Sequence, residues 1–405
     1  MAQLVLGPEF KSLPPRAWGM TADDFLATGP TLDEFQTPLL ALDAAALTHN
    51  EQSMAGWLRE RGIEIAPHGK TTMAPQLWQR LLDAGAWGIT LATAWQVQLA
   101  RSFGIRRILL ANELVDPVAL RWLAAALADP DFTFACWADG VETVAAMESA
   151  LAGLELARPV DVIVELGGAG GRTGARSVEV GLAVASAVRA SPVLRLVGVG
   201  GYEGSLGHDR SPAAIAAVSD YLDSIVEIVD LIDWGALVPI ATAGGSAYFE
   251  LVAERLTPLL GRATVVLRSG AYQVHDDGFY DGISPFAGGP NQLRAAMHAW
   301  ARVISRPEPG LALLDAGKRD VPFDEGLPRP QLVRGRGPIE ATIEKVNDQH
   351  SYLRIADATE LPLGSVLRLG LSHPCTAFDK WRLIPVLDDA DAANPTVVDL
   401  VRTWF

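Results

Sequence analysis

From about residue 38 the chain repeats one pattern, a short β-rich run followed by an Ala- and Leu-rich segment of helical period. The runs are "PLLALD" (38–43), "IEIAPH" (63–68), "WGITLA" (87–92), "RILLAN" (107–112), "FTFACW" (132–137), "DVIVEL" (161–166), "LRLVGVGG" (194–201) and "VPIATAG" (238–244). Segments such as 116–128, 141–154 and 211–231 between them are long enough for crossover helices. Strand alternating with helix is the mark of a parallel sheet, and eight βα units in roughly 250 residues have the size of a TIM (β/α)8 barrel. The pattern therefore predicts an α/β barrel over residues 37–285 rather than an open doubly wound sheet, with a ninth apolar run, "ATVVLRSGAY" (263–272), leading the chain out.

After about residue 285 helical periodicity fades. "ARVISR", "LALLDAG", "ATIEKVNDQHSYLRI" and "SVLRLGL" are short runs separated by Pro and Gly, which predicts a C-terminal antiparallel β-domain over 286–405. Residues 1–36 form an N-terminal segment expected to pack on that β-domain or on a partner subunit. A chain of 405 residues, 49% hydrophobic and 20% charged, is long enough for one large domain and a smaller one. Its net charge of −15 argues against nucleic acid or an anionic membrane as partner, since both need a basic face, and favours a small molecule. The first residues lack the basic start and small-residue cleavage site of a signal peptide, and uncharged stretches such as 84–100 carry Gly, Thr and Gln, unlike a membrane span. Two cysteines, Cys136 and Cys375, make no disulfide framework and suit a reducing cytoplasm.

In a barrel of this kind, residues at the C-terminal strand ends converge on one mouth. Lys70 in "PHGKTT" follows the second run, "GGAGGRTG" (167–174) the sixth, "GGYEG" (200–204) the seventh and "TAGGS" (242–246) the eighth. Lys70 reads either as a solvated loop lysine or as a nucleophile and cofactor anchor. A Gly-Gly-Ser loop opening a helix exposes N–H groups to a phosphate, and it falls where barrels keep their phosphate site; alone it is equally a simple turn. A phosphate cradle and a lysine at the same mouth together are what pyridoxal phosphate requires. Arg172 would then donate to the cofactor's phenolate, while Tyr202 and Tyr272 follow glycines at strand ends and either cover core or face the mouth. Trp87, Trp95 and Trp137 are open to the same two readings.

The second cluster is "SHPCTAFDKW" (372–381). On a strand, His373 and Cys375 would project from one face, with Pro374 marking an edge or bulge. A thiolate beside an imidazole prefers zinc, and two protein ligands leave positions open for water and substrate. A buried cysteine beside a solvated histidine is the alternative.

Taken in order, "PHGKTT", "GGRTG", "GGYEG", "TAGGS", "RSGAYQVHD" and "HPC" resemble the fold-type III pyridoxal phosphate enzymes of the D-serine dehydratase and D-threonine aldolase family, which have an alanine-racemase-like barrel. The likeness spans about residues 37–380. It implies that Lys70 carries pyridoxal 5'-phosphate and moves the substrate's α-proton, that Arg172 contacts the ring oxygen, and that Tyr202 lies near the pyridine nitrogen. It further implies that Thr242, Gly244, Gly245, Ser246 and Tyr272 hold the phosphate, and that His373 and Cys375 bind a divalent metal, zinc by preference, beside a D-amino acid. The activity it implies is a dehydratase of D-serine-like β-hydroxy D-amino acids, giving a 2-oxo acid and ammonia, in a homodimer. The related aldolases tend to carry a carboxylate where this chain has Cys375, which favours elimination. A D-threonine aldolase, a metal-free racemase and a non-catalytic carrier of the cofactor are the alternatives.

Overall fold

The computed structural model describes residues 4–207, 209–357 and 360–405; residues 1–3 of the expected N-terminal segment lie outside the described residues. The chain divides into a barrel unit, Ala55–Lys70 with Trp78–Gly270, and a β unit, Met1–Met54 with Thr71–Leu77 and Ala271–Phe405.

The barrel unit holds eight parallel strands. In spatial order they are Glu64–Ile65, Thr264–Leu267, Ile240–Ala243, Leu194–Gly201, Val160–Leu166, Thr133–Ala138, Arg107–Glu113 and Ile89–Leu91. The two ends of this order meet. Trp87 N–H donates to Ile65 O at 2.7 Å, Thr90 N–H to Pro67 O at 2.9 Å and the Thr90 hydroxyl to Ala66 O at 2.6 Å, so the sheet closes on itself. The expected first strand is not among the eight. Leu39–Asp43 pairs antiparallel with Met297–Glu308 and parallel with Leu383–Leu387 in the β unit, and the run expected to lead the chain out supplies the missing barrel strand, Thr264–Leu267. Both runs are apolar on both faces, so their composition marks a buried strand and carries no information about its partner.

Crossover helices start where the sequence supplies caps. Asp116 accepts from Val118 N–H at 2.7 Å and Ala119 N–H at 3.2 Å ahead of Pro117–Ala126, and Ser211 caps Pro212–Leu231, each helix with proline in its first turn. Side chains alternating along the strands fill the interior with Leu109, Ala135, Trp137, Ile163 and Val266. Two residues beyond Trp137, Ile163 and Val266 come Asp139, Glu165 and Arg268, and Glu113 stands four residues beyond Leu109, past an irregularity in the pairing. The sequence register thus puts charged groups at the mouth and apolar ones beneath.

In the β unit the long strand Met297–Glu308 pairs antiparallel with Leu39–Asp43, Leu311–Leu314 and Val366–Gly370, and Leu383–Leu387 with Val397–Arg402. Ala341–Val346 and Ser351–Ile355 form a hairpin. The N-terminal segment inserts Leu6, Phe10, Leu13, Phe25 and Phe35 into the same core as Trp300, Leu369 and Trp381. Lys11 Nζ bonds Asp320 Oδ1 at 3.0 Å over the Trp381 ring. Among the described residues no helix is long and apolar enough to cross a membrane.

Candidate active site

Lys70 sits in the tight turn Gly69–Thr71 that follows Glu64–Ile65. The indole of Trp78 donates to Gly69 O at 3.0 Å, and a Cβ at position 69 would come within 2.7 Å of that nitrogen, so glycine is needed for the turn to lie against the ring. Among the described residues of the barrel unit none makes a hydrogen bond or ion pair to the half-buried Lys70 amine. Burial holds the His68 imidazole well below its ordinary value, helped by the charges of Lys70, Arg268 and Arg172. Lys70, Arg268 and Arg172 are thus all near enough to act on the charge of the same ring. An anionic cofactor with an aldehyde for Lys70 fits that donor set.

Arg268 is buried at the mouth end of its strand. It donates to Thr242 Oγ1 at 2.8 Å and Gly201 O at 2.5 Å, and its guanidinium lies 5.0 Å from the Trp137 ring centre. The Thr242 hydroxyl itself donates to Val266 O at 2.8 Å. The Thr242 side chain thus accepts from Arg268 and donates to Val266. Gly244 N–H and Gly245 N–H, expected to cradle phosphate, donate at 3.0 and 2.5 Å to the carboxylate of Glu203, which is fully buried beneath them. Burial raises the Glu203 carboxyl above its ordinary value, against the two glycine N–H donors and the Arg268 charge. The glycines serve the turn by what they lack: a Cβ at Gly244 would meet Arg268 N at 2.9 Å, and one at Gly245 the Tyr202 ring at 2.9 Å. Ser246 follows half-exposed in the same turn. Arg172 stacks on the Tyr202 ring at 4.2 Å, so these two residues, expected on separate grounds, are in contact.

Sequence reasoning missed Arg268, Glu203, His68 and the carboxylates of the mouth. Oxygens of Glu113, Asp139 and Glu165 lie within 4.8 Å of one another. Burial, and then the neighbouring Glu165, pushes the Glu113 carboxyl up to about 8, and burial raises Glu165 as well. The available signal was periodic: each acid stands two residues beyond an inward-facing apolar residue, "LAN-E", "ACWAD" and "VIVEL". Of the three tryptophans, Trp137 is buried inside the barrel, Trp87 is stacked by Arg107 at 4.5 Å, and Trp95 is half-exposed.

In the β unit, Tyr272 lies in the turn Ala271–Gln273, where burial and then Glu51 raise its phenol. His373 and Cys375 do not lie on a strand as expected. Pro374 fixes the first turn of a short helix, Pro374–Phe378, and His373 is its left-handed cap at φ 53°. A side chain there costs about 1–3 kcal/mol of backbone strain. Asp276 offsets it: the buried carboxylate accepts His373 N–H at 2.9 Å through one oxygen, and through the other Gly278 N–H at 3.0 Å and Tyr280 N–H at 2.9 Å. The pair is nonetheless brought together. Cys375 beside the imidazole, and after it Asp324, raise His373 to about 9 against its partial burial. The Cys375 thiol also lies 3.6 Å from the hydroxyl of Thr71. An imidazole nitrogen facing a thiol, in a half-buried cap, is a fit donor set for a soft divalent ion.

This construction, a closed parallel barrel with a lysine and guanidinium groups at its mouth joined in one chain to an antiparallel β unit, defines a class. The chain has the alanine-racemase-like fold and is similar to the fold-type III pyridoxal phosphate enzymes. Within that class it groups with the D-serine dehydratase and D-threonine aldolase family: residues 296–387 match the family model "Putative serine dehydratase domain". It is 28% identical over 356 residues to a D-threonine aldolase of Arthrobacter sp., covering 87% of this chain and 89% of that one. To a D-threo-3-hydroxyaspartate dehydratase of Delftia sp. it is 25% identical, covering 85% and 92%. The solved D-threonine aldolase of Filomicrobium marinum superposes with a TM-score of 0.79 at 25% identity over 93% of this chain and 97% of that one.

Proposed function

We propose that this pyridoxal-phosphate-dependent lyase is a metal-assisted dehydratase of β-hydroxy D-amino acids, releasing a 2-oxo acid and ammonia. The observation that carries the reading is the His373–Cys375 pair, a soft ligand set suited to a Lewis acid acting on a hydroxyl. Pyridoxal phosphate, held by Lys70 with Arg172, Arg268 and Ser246 toward its anionic groups, supplies the electron sink that acidifies Cα. Zinc at His373 and Cys375 supplies stabilisation of the departing hydroxyl oxygen.

The chain's own groups do the rest. Lys70 Nζ takes the α-proton. His68 stays uncharged because burial and three neighbouring cations forbid a fourth charge. Arg268, fixed by Thr242, Gly201 and the Trp137 ring, holds its charge at one place in the mouth and needs no rearrangement when charge develops there. Net, water leaves and re-enters as the released imine hydrolyses to the oxo acid. Support for elimination also comes from solved D-threo-3-hydroxyaspartate dehydratase variants in which a histidine and a cysteine two positions apart are replaced by alanine, the cysteine variant in a metal-free form.

A second reading, an aldolase that breaks Cα–Cβ, is supported by the names of relatives, a D-threonine aldolase and a 3-hydroxy-D-aspartate aldolase. D-Threonine distinguishes the two. Incubated with the holoenzyme it yields 2-oxobutanoate and ammonia, lost on chelation, if the dehydratase reading holds; glycine and acetaldehyde would replace that reading by the aldolase.

A further inference from the structure

We propose that Asp324 is the positioning residue of the metal site: it fixes the tautomer and orientation of His373 so that Nε2, and not Nδ1, is the nitrogen offered to the metal. The inference rests on the metal reading of His373 and Cys375 given above.

Asp324 lies in the loop between strands Leu311–Leu314 and Arg329–Val333, 49 residues before His373 in sequence. One of its carboxylate oxygens hydrogen-bonds the Nδ1 edge of the His373 ring. The other accepts from the hydroxyl of Thr376 at 2.7 Å, in the short helix that His373 caps. A carboxylate only accepts, so the hydrogen in that bond belongs to Nδ1. In the neutral imidazole the remaining lone pair is then on Nε2.

Asp324 is not itself a third ligand. Among the described residues, the one trio of His, Cys, Asp or Glu whose donor atoms all lie within 4.8 Å of one another is the carboxylate cluster of the barrel mouth, so Asp324 does not join His373 and Cys375 around a single ion. The backbone completes the clamp, because Asp276 holds His373 N–H in its left-handed conformation. The ring is therefore fixed from behind by one carboxylate and at its root by another. A carboxylate behind a ligating imidazole orients the ring and makes its free nitrogen more basic, and losing such a partner weakens metal binding by about 10- to 100-fold.

The test uses the cofactor-loaded protein, stripped of metal and titrated with Zn2+ in competition with a chromophoric chelator, for wild type and Asp324→Asn. The expected result is one Zn2+ per chain in both, about 10- to 100-fold weaker in the variant, with the bound cofactor's absorbance and the metal-free melting temperature unchanged. In the Co2+ derivative the thiolate-to-metal charge-transfer band of Cys375 persists, while the ligand-field bands move as the imidazole loosens. Thr376→Val, which frees one oxygen of Asp324 but leaves its charge, falls between the two. Equal Zn2+ affinity in Asp324→Asn would overturn the proposal with the metal reading intact. Loss of cofactor absorbance or melting temperature alongside the affinity would make Asp324 a structural residue and overturn it as well. Wild type that binds no Zn2+, or binds it as well after Cys375→Ala, would overturn the metal reading and this inference with it.

Discussion

Replacing Glu113 by glutamine isolates what the buried carboxylates of the barrel mouth do to stability. Burial and Glu165 raise the Glu113 carboxyl from 4.5 to about 8. A group whose folded pKa lies above its unfolded value contributes stability that is fully present below about pH 4.5 and is lost as pH rises through about 8. At 1.36 kcal/mol per unit that shift corresponds to about 5 kcal/mol, and solvent reaching the partly exposed side chain reduces it to roughly 2 kcal/mol. Glutamine has the shape of the protonated acid and no charge to lose. At pH 5 the variant should melt within about 1 °C of wild type; by pH 8.5 it should melt roughly 4–8 °C higher, at about 2–4 °C per kcal/mol for a domain of this size. The assay is a series of melting temperatures for both proteins from pH 5 to 9. A difference that stays flat with pH, or a variant less stable at high pH, would refute the reasoning and mean that Glu113 is ionised and paired in the folded protein.

Gly201→Ala should destabilise the barrel unit by roughly 3 kcal/mol, because overpacking a tight interior costs about that much and the new methyl would lie 2.3 Å from Leu166 O and 1.8 Å from the Tyr221 hydroxyl that bonds the same carbonyl; an unchanged denaturation midpoint would count against the close packing. Lys70→Ala should emerge from gel filtration without bound-cofactor absorbance, and with pyridoxal phosphate in excess its turnover should fall by about 100- to 10,000-fold, the share that a positioned acid–base group supplies. Retained absorbance and turnover would remove Lys70 from the site.

What the sequence determined by itself was local. Alternating β-rich and helical segments specified parallel strands and their crossover helices, because hydrophobic period is a property of consecutive residues. The motifs after the strand ends put Lys70, Arg172 and Tyr202 at one mouth for the same reason: once the strands are parallel, their C-terminal ends share a side. The spacing of His373 and Cys375 likewise placed an imidazole and a thiol within reach of each other, although the helix begun by Pro374, not strand alternation, brings them together.

Tertiary structure decided what depends on residues far apart in the chain. Leu39–Asp43 and Thr264–Leu267 are equally apolar, and which of them joins the barrel is settled by pairing partners that hydropathy does not encode. The glycine turn reads as an anion cradle in the sequence, and only the fold brings Glu203, 41 residues earlier, to its Gly244 N–H. Arg268 looks like one more arginine in the sequence, yet it is the buried charge that Thr242 and Gly201 hold at the mouth. Asp324 carries no motif at all, because a hydrogen bond across 49 residues is a consequence of two loops meeting in space and leaves no periodic trace in the chain.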